Sequence, residues 1–179
     1  DTGTPSGDIE TNGAYGVAVS PRGSWVYVTD KPGSGNAVSV INTDPDSPDF
    51  NTQVGPAVPV GVGPIGVAVT PDGQRVYVAN AGSPADFLTL GRTVSVIEVS
   101  YLTSPPALTV LSPPIEVGVT PTGVAVSPDG RRVYVTNAFS NSVSVIDADP
   151  DSPTFHTVID TNPGDPNIRD IEVGDGPLG

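Results

Sequence analysis

Gly123-Val124-Ala125-Val126-Ser127-Pro128-Asp129-Gly130-Arg131-Arg132-Val133-Tyr134-Val135-Thr136-Asn137 spells out a β-hairpin. Two short apolar runs, 124–126 and 133–135, are built from residues that suit a pleated, buried surface. Ser127-Pro128-Asp129-Gly130 separates them. Pro pre-sets φ at an early turn position, Asp bonds its own backbone, and Gly accepts positive φ. Apolar runs around such a turn predict a hairpin. A third run, 142–146, follows a polar loop, so the unit is a meander of three strands. A fourth strand can come from Thr157-Val158-Ile159 or from Ile171-Glu172-Val173. In Val133-Tyr134-Val135 the Tyr faces opposite to the two Val residues. Both faces then carry large side chains, which suits a sheet covered on both sides and argues against a sandwich with one wet face.

The hairpin occurs three times. Gly16-Val17-Ala18-Val19-Ser20-Pro21-Arg22-Gly23 leads to Val26-Tyr27-Val28-Thr29-Asp30. Gly66-Val67-Ala68-Val69-Thr70-Pro71-Asp72-Gly73 leads to Val76-Tyr77-Val78-Ala79-Asn80. The hairpin tyrosines Tyr27, Tyr77 and Tyr134 are 50 and 57 residues apart. The third strand recurs as Val38-Ser39-Val40-Ile41, Val94-Ser95-Val96-Ile97 and Val143-Ser144-Val145-Ile146. Several strands per unit at a period of roughly 40–50 residues predict propeller blades. The expected fold is all-β: a β-propeller of four-stranded antiparallel blades, with repeats at about 9–65, 66–122 and 123–179.

These motifs resemble the YVTN-type β-propeller repeat family, through Tyr134-Val135-Thr136-Asn137 and its variants Tyr77-Val78-Ala79-Asn80 and Tyr27-Val28-Thr29-Asp30. The Ser-Pro-Asp-Gly turn and the Val-Ser-Val-Ile strand match as well. The resemblance covers nearly the whole chain. It implies four-stranded blades around an axis and an extracellular or cell-surface location. The family is defined by fold, so it carries over no catalytic residues. The chain departs from the usual pattern in long inserts after the third strand.

Propellers close with 4–8 blades, and three leave two blade faces and unpaired strand edges open. Self-association of two copies, or the remaining blades of a longer chain, would close the ring. The chain has no Met among its 179 residues, and its ends fall at the same phase of the repeat. A processed form or an excised piece is the expectation. The net charge of −13 disfavours nucleic acid and anionic membrane surfaces, which would repel it. No apolar run is long enough to span a bilayer, so no membrane insertion is expected. The absence of Cys removes disulfides, thiol catalysis and haem attachment.

Loops carry function more often than scaffolds do. The long loop 81–92 holds Phe87, Leu88 and Leu90, the least expected apolar residues in the chain, and is the first candidate contact surface for a protein or glycan. Asp30, Asn80 and Asn137 end the second strand of each unit. They offer either a polar ring for a ligand or caps for the following turn, since Asx side chains bond nearby backbone. The Asp147-x-Asp149-x-Asp151 spacing, with Asp44 and Asp46 at matched positions in the first unit, can direct oxygens at calcium. The bland reading is an acidic, solvated turn. No other cofactor is expected. His156 is the only histidine, and it falls beside an outer strand, as a surface residue. Trp25 stands where Arg75 and Arg132 stand in the other units. It is either a stacking platform for a sugar or packing over the hairpin.

The sequence therefore reads as a non-catalytic scaffold that binds protein or glycan. The alternatives are a lactonase-like propeller hydrolase, which would need acid–base residues at the axis, and a redox-cofactor-associated propeller.

Overall fold

The computed structural model describes residues 13–30, 35–83, 89–159 and 170–174. They form three antiparallel sheets, one for each repeat, stacked as the blades of an open β-propeller arc. In the first blade β1 (Ala14–Val19), β2 (Trp25–Asp30) and β3 (Ala37–Asn42) form the meander, with β4 (Thr52–Gln53) and β5 (Val58–Pro59) both pairing to β3. The second blade has β6 (Pro64–Val69), β7 (Arg75–Gly82) and β8 (Leu90–Ser100), with β9 (Ala107–Val110) and β10 (Ile115–Glu116) on β8. The third has β11 (Pro121–Val126), β12 (Arg132–Asn137), β13 (Ser142–Asp147) and β14 (Ile171–Glu172).

The hairpin turns follow the predicted chemistry. The N–H groups of Gly23, Gly73 and Gly130 donate to the carbonyls of Ser20, Thr70 and Ser127, each at 2.8 Å. The three glycines have φ of 74–75°, a region other residues enter at a steric cost. The Ser20, Thr70 and Ser127 hydroxyls each accept from the first residue of the next strand, at 2.9–3.0 Å.

The fourth-strand position is split in every blade. In the first, β4 pairs with Ile41 and Asn42 while β5 pairs with Ala37 and Val38. In the third, Val158 bridges Ile146 while β14 pairs with Ser142 and Val143. Both sequence candidates for the fourth strand are therefore used, one at each end of β13. Proline accounts for the break in the first two blades. Pro56 and Pro113-Pro114 lie between the half-strands and bring no N–H to the ladder.

The core sits in two seams between blades. In the first, Tyr27, Val38 and Val40 of one blade pack on Val67, Val76, Val78 and Ile97 of the next. In the second, Tyr77, Val94 and Val96 pack on Val133, Val135 and Ile146. The Tyr side of each blade meets the Val side of its neighbour, so the double-faced strands cover each other as the sequence implied. At the inner strands the backbones nearly touch. A Cβ on Gly16 would collide with the Ile65 carbonyl, and one on Gly66 with the Thr122 carbonyl. Thr29 Oγ1 accepts from Gly16 N and donates to Ile65 O, both at 2.8 Å, stitching the first seam.

Candidate functional site

Asp30 and Asn137 end β2 and β12, and Asn80 lies two residues before the end of β7, all three with buried side chains. Asn80 Nδ2 donates to Thr93 Oγ1 and Ser95 Oγ, both at 3.0 Å. Asn137 Nδ2 donates to Ser142 Oγ at 3.1 Å and Ser144 Oγ at 2.9 Å. Asp30 accepts from Ser39 Oγ at 3.3 Å. The same serines receive the blade-to-blade connections: Gly61 N donates to Ser95 and Gly118 N to Ser144. Each Asx side chain thus ties strands two and three of its own blade together.

Asp30 carries a charge where the other blades carry an amide. Burial pushes its carboxyl above the ordinary value, and the Ser39 hydrogen bond only partly offsets that. A raised native pKa leaves stability intact below the unfolded pKa of 3.8 and erodes it as pH rises through the native pKa. Asp30→Asn should therefore stabilise the chain by about 1 kcal/mol at pH 7 and by much less near pH 3.5. Thermal melts of both proteins at the two pH values check this.

The long loop is more ordered at its roots than its composition implied. Ala81 and Gly82 extend β7, while Leu90, Gly91 and Arg92 extend β8, with Gly82 and Leu90 in register. Gly82 at φ 88° and the bare Gly91 permit this close approach. Leu90 is half-buried in the ladder. Phe87 and Leu88 lie outside the described residues.

The Asp-Pro loops are chains of Asx turns. Asp44 Oδ1 accepts from Asp46 N, and Asp149 Oδ1 from Asp151 N, both at 3.1 Å. Asn42 and Asp147 hold the loop starts, accepting from Asp44 N and Asp149 N. Asp147 is buried and further accepts from Ser152 Oγ, from Thr154 Oγ1 at 2.7 Å and from Arg132 at 2.8 Å. Asp149 faces Arg131 at 3.5 Å. Among the described residues no group of three or more His, Asp or Glu is arranged to hold a metal ion.

His156 is not on the open surface. Its Nε2 lies 3.1 Å from Tyr77 Oη, and its ring stacks on Phe155, itself under Arg75. The Asp-Pro loop of the third blade thus folds over the seam to the second. Burial, then the Arg75 charge, pushes the imidazole pKa down. No local pattern announces this contact, which joins residues 79 positions apart.

Sequence reading also left unassigned a cleft over the first seam. It measures about 390 Å³ and is lined by Ser20, Arg22, Ser24, Trp25, Asp72 and Tyr101, among others. Trp25 packs one side on the core. Tyr101 is anchored by its hydroxyl, which donates to Gly73 O at 3.0 Å. The matching cleft over the second seam is smaller, about 240 Å³, and charged, with Asp72, Arg75, Asp129, Arg131, Asp149 and Asp151 in its walls. The residues paired by the strand register differ between the blades at the position of Trp25. Arg132 pairs with Asp147 and Arg75 with Glu98, but Trp25 pairs with Asn42. Both members of the pair are neutral in the first blade only.

The inner strands bound a third concave surface, along the axis. Tyr15, Val17, Ile65, Val67, Thr122 and Val124 line it together with the inner glycines. Its described walls are aliphatic, glycyl, hydroxylic and aromatic.

No protein-family model and no curated protein matches this sequence. Solved structures do match. Hydrazine synthase of Kuenenia stuttgartiensis is similar at 27% identity and a TM-score of 0.59, over 89% of this chain and 38% of that one. A candidate 6-phosphogluconolactonase from Bacteroides fragilis is similar at 19% identity and a TM-score of 0.67, over 90% and 39%. A protein of unknown function from Desulfotomaculum acetoxidans follows at 15% and 0.61, over 97% and 50%. The likeness is one of propeller fold. The chain spans between 38% and 50% of the length of these structures.

Proposed function

We propose that this chain is a non-catalytic β-propeller scaffold, at the cell surface or outside the cell, and that it binds a neutral glycan. The cleft over the first seam carries this reading. Its two aromatic residues stand at places where the repeat departs from its own pattern. Trp25 replaces an arginine, and Tyr101 belongs to the loop that replaces the Asp-Pro turn. They meet over one seam. A pyranose ring presents a face of C–H groups that packs on aromatic surface, while its hydroxyls bond to nearby polar groups, here Ser20, Ser24, Arg22 and Asp72. The opposite charges of Arg22 and Asp72 offset each other, which favours an uncharged ligand. The surface location rests on the resemblance to the YVTN-type repeat family. Two further features support binding over catalysis: the Asx residues at the strand ends are engaged within their own blades, and the axial groove presents aliphatic and hydroxyl groups.

Trp25 is the only tryptophan, so intrinsic fluorescence reads the cleft directly. Titration with cellohexaose, maltohexaose and chitohexaose should give a saturable change with at least one. Tyr101→Ala should weaken that binding about tenfold or more, a loss of about 1.4 kcal/mol. Trp25→Arg, which restores the residue of the other blades, should do the same by calorimetry. No saturable change with any of the three up to about 10 mM, well below the affinity of a useful site, would sink the reading.

A further inference from the structure

We infer that the glycan held by the first-seam cleft continues past Tyr101 into a second cavity, so that the site takes an oligosaccharide chain and not a single sugar. This rests on the glycan reading and extends it. The second cavity measures about 380 Å³, close to the volume of about 390 Å³ of the first. Both fall within the size range of small-ligand sites, roughly 300–1,000 Å³. Tyr101 is a wall of both. Gly73 and Gln74, consecutive in one turn, line the first and the second respectively. The Tyr101 hydroxyl, bonded to Gly73 O, fixes the ring between the two cavities, and the residue is 45% exposed. One ring thus offers apolar surface to a sugar on either side.

The second cavity comes from the same departure from the repeat that supplies Tyr101. β3 and β13 end at Asn42 and Asp147, the partners of Trp25 and Arg132. There the Asx-turned Asp-Pro loops begin. β8 instead runs two residues past the matching Glu98, to Ser100, with β9 beside it. This added ladder forms the floor of the cavity. Arg75, Glu98 and Thr109 stand in one row across β7, β8 and β9, and Ser100 pairs with Ala107 next to them. Residues two apart share a face of a strand, so Glu98, Ser100 and Thr109 present their polar groups together. All three are exposed. The charge pattern also repeats. The first cleft carries one cation and one anion, Arg22 and Asp72, and the second cavity carries Arg75 and Glu98. Such a balance suits an uncharged chain of hydroxyls in both. The carboxylate accepts from sugar hydroxyls, the guanidinium donates to them, and Ser and Thr do either. A linear glycan repeats its ring and its hydroxyls at each step, which matches two like cavities on the two sides of one aromatic ring.

Calorimetric titration with the disaccharide and the hexaose of the cellulose, maltose and chitin series tests this, on the wild type and two variants. The disaccharide occupies the first cleft, between Trp25 and Tyr101, and the hexaose is long enough for both cavities. The series that binds should do so about tenfold or more tighter as hexaose than as disaccharide. Thr109→Arg fills the second cavity with a side chain that faces Glu98 across the ladder, an opposite-charge pair that a sheet accommodates. It should remove most of the hexaose gain and leave the disaccharide affinity unchanged. Glu98→Gln replaces a charged acceptor with a neutral one of the same shape and should weaken the hexaose severalfold, again with the disaccharide unchanged. A hexaose that binds no tighter than its disaccharide, or that binds both variants as tightly as the wild type, overturns the inference and leaves the first cleft as the whole site. Binding of none of the sugars overturns the glycan reading and this inference together.

Discussion

Tyr77→Ala should cost about 4 kcal/mol, a large fraction of the stability of about 5–15 kcal/mol that native domains have. Tyr77 is fully buried between the second and third blades, against Val133, Val135 and Ile146. Truncation opens a cavity that two sheets cannot close, because their inner strands are already in backbone contact at Gly66 and Thr122. It also strips His156 of its partner at 3.1 Å and of its edge-to-face ring contact. Burial pushes the Tyr77 hydroxyl up to about 12, so it stays neutral at working pH. Tyr77→Phe should isolate the hydroxyl and cost about 1 kcal/mol. Tyr134→Ala is the internal control. The same residue at the same repeat position is 42% exposed on the third blade, so its loss should be well under half as large. Urea unfolding of the three variants reads these differences. Equal losses at Tyr77 and Tyr134 would mean that the blades do not stack as described.

Asp147→Ala should cost about 2 kcal/mol at pH 7, since it removes the buried acceptor of Ser152, Thr154 and Arg132, donors that are themselves partly exposed and so partly rescued by water. Burial alone would raise this carboxyl. Hydrogen bonds from Ser152, Thr154 and Asp149 N–H, with the Arg132 charge, outweigh it and hold the pKa below its ordinary value. A depressed native pKa gives stability that is present above the unfolded value of 3.8 and lost as pH falls through the native pKa. The gap between wild type and variant should therefore narrow in acid. Chemical unfolding at pH 7 and near pH 3 measures it, and a gap unchanged by pH would contradict the assignment. The same side chain bears on calcium. Its oxygens already serve Ser152, Thr154 and Arg132, so a metal at this loop would have to displace those bonds.

The fold was legible in the sequence because a repeat states its rules three times. The in-phase copies of Val-Tyr-Val and of Ser-Pro-Asp-Gly mark strands, turns and a sheet covered on both faces, and the blades follow. What could not be read were contacts that depend on how the blades are placed. The Tyr77–His156 bond joins an inner hairpin to a loop of the next blade, and no local pattern announces it. The extension of β7 and β8 past Asn80 hides in a segment whose glycines look like a plain loop, although they are there so that two backbones can approach. The split fourth strand was half visible: both segments were recognised, but not that one strand uses both. The aromatic cleft does have a signal in the repeats. Trp25 stands opposite Asn42 where the other blades pair Arg with an acid, and such a paired change is visible without coordinates once the strand register is known.

The Tyr-on-Val seam is the device on which the account rests, used twice within the chain. A double-mutant cycle across the second seam tests it most directly. Tyr77→Ala and Val135→Ala, alone and together, should show a coupling of about 1 kcal/mol in urea unfolding, because each truncation relieves the other of a packing partner. Losses that simply add would contradict it.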